Sequence, residues 1–314
     1  MKKINVGVVG IGNLGQHHFR IYHSMSDLVN LIAVADVDEN KLEKYRKLYP
    51  EIYFTNDFKK ILDKVDAISL VVPTSLHYKI GKEILLAKKH LLIEKPITTT
   101  VDEAEELVQI AQQNNLILQV GHVERFNPVV QATREFIKNP RFIESVRLGS
   151  FDPRVADVGV VLDLMIHDID IVLCYVASKL ESVEAYGAKV FTDKEDIVKA
   201  RLRFENSIIC DLTASRISMY RYRKMHIFQD DSYVSIDFMR QHAKIYRKKH
   251  KDVKNFQDIE VLKPKIKREE PLKLELQHFI NSIIHNKSPE VTGEHAKNAL
   301  SVAIEIIQKL KFYK

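Results

Sequence analysis

No apolar run in the 314-residue chain approaches the roughly 20 residues that a helix needs to cross a bilayer, so no membrane-spanning segment is expected. The apolar run at the start, Ile4 to Val9, is short, and glycines follow it rather than a cleavage site. It reads as a first β-strand, not as a signal peptide. Cysteine is scarce: Cys174 and Cys210 stand far apart, without a metal-ligand spacing, and read as ordinary buried thiols. Nothing points to an oxidising compartment, which leaves the cytoplasm as the expected location. There is no internal repeat and no low-complexity linker. Excess charge is small, 48 Lys and Arg against 42 Asp and Glu, a net +6. The basic residues crowd into 240–254 and 263–268, but no nucleic-acid-binding motif accompanies them, and a solvated hairpin face explains them as well. A basic surface would also help to attract an anionic substrate.

The length suits two domains. Through residue 121, short apolar runs alternate with helical patterns: strands at 4–9, 31–35, 67–72, 91–93 and 116–120, and helices at 14–25, 39–48, 77–88 and 101–114. Continuous apolar strands separated by helices predict a Rossmann-type doubly wound parallel sheet over residues 1–121, covered on both faces. The pattern then changes. Helices are expected at 129–138 and 160–176. Val198, Ala200, Leu202 and Phe204 alternate with Lys199, Arg201 and Arg203, the period of a half-buried antiparallel strand. A turn at Glu205-Asn206-Ser207 leads to a strand at 208–214, with others at 223–229 and 233–238. Helices close the chain near 272–285 and 295–311. Residues 122–314 are therefore expected to form an α+β domain with an open, largely antiparallel sheet. An open sheet face needs covering, so a homo-oligomer, dimer or tetramer, is expected.

Gly10-Ile11-Gly12-Asn13-Leu14-Gly15 follows a strand and opens a helix. In that setting it is a dinucleotide fingerprint, with glycines for the tight turn, the approach of pyrophosphate and helix–strand packing. The helix N-terminus offers Asn13, Leu14 and Gly15 N–H groups to phosphate. Asp36 ends the second strand, where a carboxylate binds ribose hydroxyls and repels a 2′-phosphate, favouring NAD over NADP. It could instead cap the next helix, a role that Asp38 suits better. Pro73 and Thr74 end a later strand and should also face the cofactor.

Two further segments carry candidate chemistry. Glu94-Lys95-Pro96 follows a buried strand, and Pro96 biases Lys95 toward extended backbone. A partly desolvated lysine there could move protons, although on the residues alone a surface lysine is the simpler reading. Asp163 and His167 are four apart and share a helix face. The carboxylate would orient the imidazole and favour its protonated form, a pair suited to taking a hydroxyl proton. It could also be a structural ion pair. A metal is not expected, because no third ligand stands at a readable spacing.

With Gly10–Gly15, Glu94-Lys95-Pro96 and Gly159-x-x-x-Asp163-x-x-x-His167, the chain resembles the Gfo/Idh/MocA oxidoreductases over nearly its whole length. The resemblance implies an NAD-dependent dehydrogenase of CH–OH groups, with Lys95 and His167 flanking the substrate carbinol and Asp163 supporting. It makes Pro73-Thr74-Ser75-Leu76-His77 a cofactor loop, and adds His77 and Glu94 to the cofactor candidates; Thr74 stands where an asparagine is common. Gly121–Pro128 and 154–170 more narrowly resemble the members that oxidise C3 of UDP-N-acetylglucosamine, whose 3-keto product an aminotransferase can then take. By that analogy Arg125, Asn127 and Arg154 are candidate substrate contacts, each equally able to serve as a salt bridge or cap. The rivals are a dehydrogenase of inositol, free sugars or other polyols, and a non-catalytic NAD(H)-sensing regulator, which would have no need of Lys95, Asp163 and His167 together.

Overall fold

The computed structural model describes residues 3–152 and 158–312. In chain order the first half holds β1 (Ile4–Val9), α1 (Gly15–Ser24), β2 (Val29–Ala35), α2 (Glu39–Leu48), β3 (Tyr53–Thr55), β4 (Ala67–Leu70), α3 (His77–Leu86), β5 (His90–Glu94), α4 (Val101–Gln113) and β6 (Leu118–Gly121). Then follow α5 (Pro128–Thr133), β7 (Pro140–Leu148), a π-turn at Val161–Met165 that leads into α6 (Ile166–Tyr175), β8 (Leu180–Ala188), β9 (Ile197–Phe204), β10 (Ile209–Ser215), β11 (Tyr222–Gln229), β12 (Ser232–Asp237), β13 (His242–Lys248), β14 (Ile259–Leu262), α7 (Pro271–Ile284), α8 (Gly293–Lys309) and β15 (Leu310–Phe312). Among the described residues no helix is long and apolar enough to cross a membrane.

The chain divides into two compact units. One runs to His122 and takes in Leu272–Asn298; the other holds Val123–Pro271 and the stretch from Ala299 onward. In the first, six parallel strands lie in the order β3-β2-β1-β4-β5-β6. The order reverses between β1 and β4, and the crevice at the carboxyl ends of strands there is where such folds bind ligands. The expected strands are present, and β3 is added to them. It has three residues, too few for a periodicity to show.

The expected boundary assigned everything after residue 121 to the second domain. Instead α7 returns to the first unit, where Leu276, Phe279 and Ile280 are fully buried in the core with Val6, Phe19 and Ile21. Val120 N–H donates to Val291 O at 3.1 Å, so the returning chain pairs along β6. An apolar stripe on a helix says that it is buried, not against which core.

The second unit is built on a nine-stranded sheet, β14-β13-β12-β11-β7-β10-β9-β8-β15. It is antiparallel except where β7 meets β10 and β8 meets β15. As the alternation predicts, Val198, Ala200, Leu202 and Phe204 are buried in its core, packed with Val161, Met165 and Ile169 from the helical layer. Of the basic run at 240–254, His242–Lys248 form a hairpin strand paired with β12. The outer face carries an aromatic ladder: Phe142 opposite Phe228, Phe228 opposite Tyr233, and Tyr233 opposite Tyr246, with ring centroids 4.9–5.7 Å apart.

Candidate active site

In the first unit the glycine turn has the shape that the fingerprint requires. Gly10 has φ +91°, and a Cβ there would lie 2.3 Å from Val71 O; one on Gly15 would lie 2.0 Å from Gly10 O. Gly12 faces open space, with nothing within 4 Å of its ideal Cβ, which leaves room for a phosphate against the backbone. Asn13 and Leu14 lie exposed at the start of α1. The first turn of α1 holds no acidic residue and no side chain caps it, so its positive dipole end is open to an anion.

Beside this turn is a cavity of about 350 Å³ lined by Gly10, Gly12, Asp36, Val37, Phe58 and Pro73, among others. Asp36 stands at its edge. Its Oδ2 accepts Ile11 N–H at 2.6 Å and its Oδ1 accepts Asp38 N–H at 2.8 Å, so it ties the glycine turn to the end of β2. Each carboxylate oxygen keeps a lone pair for a ribose hydroxyl. Asp38, not Asp36, caps α2, accepting from Asn40 and Lys41 N–H. These hydrogen bonds, that of Lys41 first, hold the Asp38 carboxyl below its ordinary range. An open glycine turn, an uncapped helix end and a ribose-side carboxylate fit a dinucleotide.

Six expected cofactor residues do not line this cavity: Asn13, Leu14 and Gly15 around the start of α1, and Thr74, His77 and Glu94. Thr74 opens the short turn Thr74–Leu76, where Leu76 and the preceding Pro73, not Thr74, line the cavity. His77 is buried, with Nδ1 2.9 Å from Pro96 O and Nε2 2.9 Å from Val72 O. Set between these two carbonyls, the ring ties the loop after β4 to the one after β5 in place of a cofactor contact; burial lowers its pKa, against the pull of the two carbonyls. Glu94 turns inward to His18 and to the backbone of Lys95. Lys95 itself is half-buried just past the carboxyl end of β5, in a cis peptide bond with Pro96. Phe58 and Asn56 line the cavity without having been foreseen, because they depend on the unread strand β3.

In the second unit, the π-turn and α6 carry three carboxylates and a histidine, and burial sorts them. Asp163 and His167 are half-buried, whereas Asp168 and Asp170 are 2% and 1% exposed. Arg147, itself 1% exposed, holds Asp168 with two bonds of 2.8 and 2.9 Å and Glu124 with a third of 2.7 Å. Burial alone would raise the Glu124 carboxyl; Arg147 beside it brings it below its ordinary range. Arg125 is likewise bound to Asp170, at 2.7 and 3.2 Å. Asn127 caps α5 through Val129 N–H, and its amide donates to Glu124 and Phe238 O. Both residues, expected as substrate contacts, are thus committed to the scaffold under α6. Arg154, the third, lies outside the described residues.

Glu195 is a functional-site neighbour that no motif signalled. Its carbonyl accepts Val160 N–H at 3.0 Å and its Oε1 accepts Val161 N–H at 3.3 Å, capping the π-turn from outside. A Cβ on Gly159 would lie 1.9 Å from Glu195 Oε1, which explains the glycine of the Gly159–His167 pattern. Such widened turns recur at functional sites, and Asp163 lies within this one. Among the described residues no group of three or more His, Cys, Asp or Glu side chains is placed to hold a metal.

A dinucleotide cradle at the switch point of a parallel sheet, joined in one chain to an open mixed sheet packed with helices, defines a class of two-domain oxidoreductase. Residues 4–122 match the oxidoreductase family with an NAD-binding Rossmann fold, and residues 141–235 match the GFO/IDH/MocA C-terminal domain. The chain is 32% identical to UDP-N-acetylglucosamine 3-dehydrogenase from Acidithiobacillus ferrooxidans, over 98% of this chain and 97% of that protein. A solved structure of that enzyme superposes with TM-score 0.91 at 30% identity, covering 99% of this chain and 98% of that one. Myo-inositol 2-dehydrogenase from Thermotoga maritima is 26% identical over 95% of this chain and 93% of its own. The scyllo-inositol dehydrogenase from Lactobacillus casei with bound NAD(H) and scyllo-inositol shares the fold, with TM-score 0.81 at 23% identity over 98% and 97% of the two chains. The chain belongs to the Gfo/Idh/MocA family of NAD-dependent sugar and polyol dehydrogenases.

Proposed function

We propose that this chain oxidises the C3 hydroxyl of UDP-N-acetylglucosamine to the 3-keto sugar, with NAD in preference to NADP. What carries the reading is the extent of the likeness. The 32% identity to the UDP-N-acetylglucosamine enzyme runs over 98% of the chain, through the second unit as well as the cofactor-binding one, against 26% for the myo-inositol enzyme. That the inositol enzyme still aligns over 95% of the chain favours one second reading, a free polyol as substrate.

Oxidation takes a proton from the hydroxyl oxygen and a hydride from the carbon beneath it, leaving a carbonyl. NAD supplies the hydride acceptor. His167 or Lys95 takes the proton, and the other donates a hydrogen bond to the oxygen as it gains charge. Asp163, four residues ahead of His167, serves to orient the imidazole. The nucleotide of the substrate supplies binding energy for positioning.

Asp36 is the expected source of cofactor choice. Asp36→Ser should lower kcat/KM for NAD about tenfold and raise that for NADP, because the repulsion of a 2′-phosphate goes with the carboxylate. Lys41, which lines the same cavity 3.3 Å from Asp38, stands ready to attract the phosphate. Initial rates with both cofactors measure this; an unchanged NAD to NADP ratio would remove Asp36 from that role.

We also infer that a second copy of the chain covers the aromatic ladder. Phe228, at its centre, is 38% exposed, which is costly for a phenyl ring in water. Phe228→Lys should shift the light-scattering mass toward the monomer.

The first experiment follows NADH absorbance with purified protein, NAD and UDP-N-acetylglucosamine, beside NADP, glucose and myo-inositol. Turnover with the nucleotide sugar alone supports the reading. Turnover with a free polyol alone keeps the chemistry and overturns the substrate. Since 3-oxidation can be uphill, the assay is repeated with a coupling aminotransferase and glutamate, and silence there too counts against the nucleotide sugar.

A further inference from the structure

Beneath Lys95, in the first unit, runs a chain of buried polar groups that the reaction above leaves unused. His18 and Tyr22 lie one turn apart on α1, Ser69 lies in β4, and Glu94 ends β5; their exposures are 0%, 0%, 0% and 7%. The Tyr22 hydroxyl is 3.0 Å from Ser69 Oγ, and Ser69 Oγ is 3.2 Å from His18 Nδ1. Across the ring, His18 Nε2 is 3.2 Å from Glu94 Oε1, within ion-contact range though off the line of an ideal hydrogen bond. The other carboxylate oxygen, Oε2, accepts Lys95 N–H at 3.3 Å. Gly121 on β6 leaves the carboxylate just enough space, since a Cβ there would lie 2.6 Å from Oε2.

Taken singly these contacts are ambiguous, because a hydroxyl or an imidazole can give or take a proton. Taken together they have one order. Burial first, with help from Glu275 and Glu94, holds the Tyr22 phenol far above its ordinary range, so it keeps its hydrogen and is able to donate. It gives to Ser69, whose single hydrogen goes to His18 Nδ1. The ring's own hydrogen is then on Nε2, facing Glu94. The opposite tautomer would set a nitrogen lone pair against a buried carboxylate, with nothing between them.

We propose that His18 is a positioning residue, whose Nε2 edge packs at 3.2 Å against the Glu94 carboxylate that in turn holds the backbone of Lys95. The turn carrying Lys95 has the carboxylate as its buried anchor, and the carboxylate can rotate away unless His18 occupies its other side. The proposal rests on the reading of Lys95 as a group that acts in the reaction.

A purely structural cluster would satisfy the same hydrogen bonds, so the test compares His18→Leu, His18→Gln, Lys95→Ala and the His18→Leu/Lys95→Ala double variant. Each is assayed with NAD and UDP-N-acetylglucosamine, or with the polyol that the first experiment finds, and NADH binding is titrated by fluorescence. His18→Leu is expected to lower kcat about 10- to 100-fold, as small displacements of a reacting group do, with NADH affinity within about threefold. His18→Gln should recover most of the loss, because its amide accepts from Ser69 and donates to Glu94. In the Lys95→Ala background His18→Leu should cost nothing further, since groups acting as one unit are not additive. Wild-type kcat in His18→Leu, or the same loss in both backgrounds, overturns the proposal. Wild-type kcat in Lys95→Ala overturns the reading beneath it instead. If His18→Leu does not fold, Ser69→Ala decides, as it removes the Nδ1 donor and no charge. A loss of kcat that vanishes in the Lys95→Ala background supports the proposal, and an unchanged kcat overturns it.

Discussion

Replacing Lys95 or His167 with alanine should remove most turnover, about 10²- to 10⁴-fold in kcat, and leave NADH binding close to that of the parent protein. The separation follows from where the groups sit. The cofactor cradle consists of the Gly10–Gly15 turn, the start of α1 and Asp36, none of which uses either side chain. Lys95→Ala keeps the backbone N–H that Glu94 accepts, so the anchor of the turn survives and only the amine is lost. His167 stands on α6 in the other unit, half-buried and apart from the glycine turn and Asp36 in the sequence. Paired measurements of kcat and of NADH fluorescence would show the split. Unchanged turnover in either variant would strip that residue of its assigned part, and lost NADH binding would mean that the change acts on the cradle.

Arg147→Ala should be among the most damaging changes to stability. Its guanidinium makes three bonds to Asp168 and Glu124, and removing it leaves two buried carboxylates without their shared cation. Breaking a buried pair in this way costs roughly 3–5 kcal/mol, a large share of the 5–15 kcal/mol that holds a typical domain. Arg223, 3.5 Å from Glu124, offers partial compensation. Because α6 carries His167 and is held from below by Asp168, the loss should reach the site as well as the melting temperature. The effect has a pH signature. In the parent protein the Glu124 carboxyl is held below its ordinary value of 4.5, so its share of the stability is fully present above that value and is lost as the pH falls through the depressed one. Without Arg147 the depression goes, and neutralising the carboxylates relieves the variant. The difference in stability between the two proteins should therefore be greatest near neutral pH and shrink below about pH 4. Urea melts at pH 7 and pH 4 would measure it; an equal difference at both would refute this account of the pair.

Much of the architecture was legible because it is local. In the first unit every strand but β3 lies where an apolar run between turn signals placed it, and Asp38 caps α2 as its position beside Glu39 implied. In β9 the inward residues were read correctly because its alternation is regular. Strand β7 was invisible for the opposite reason. Its inward positions include Ser145 and Arg147, while Phe142 and Val146 face outward, so the usual apolar-in pattern is reversed. Only the buried partners Asp168 and Glu124, 21 and 23 residues away in sequence, make an inward arginine tolerable.

What the sequence determined by itself were the features whose cause lies within a turn or two of chain. These are the glycine turn that receives a dinucleotide, the carboxylate at the end of β2, the position of Lys95 at a strand end, and the spacing of Asp163 and His167. The tertiary structure decided how polar groups were divided between chemistry and scaffold. It took Arg125, Asn127, Asp168 and Asp170 for buried pairs and caps, turned His77 into a staple between two loops, and brought α7 back to the first core. The physical reason is that a charge or an apolar stripe announces only that it needs a partner. Which partner it finds is settled by segments distant in sequence, through the cost of burying any polar group left unpaired.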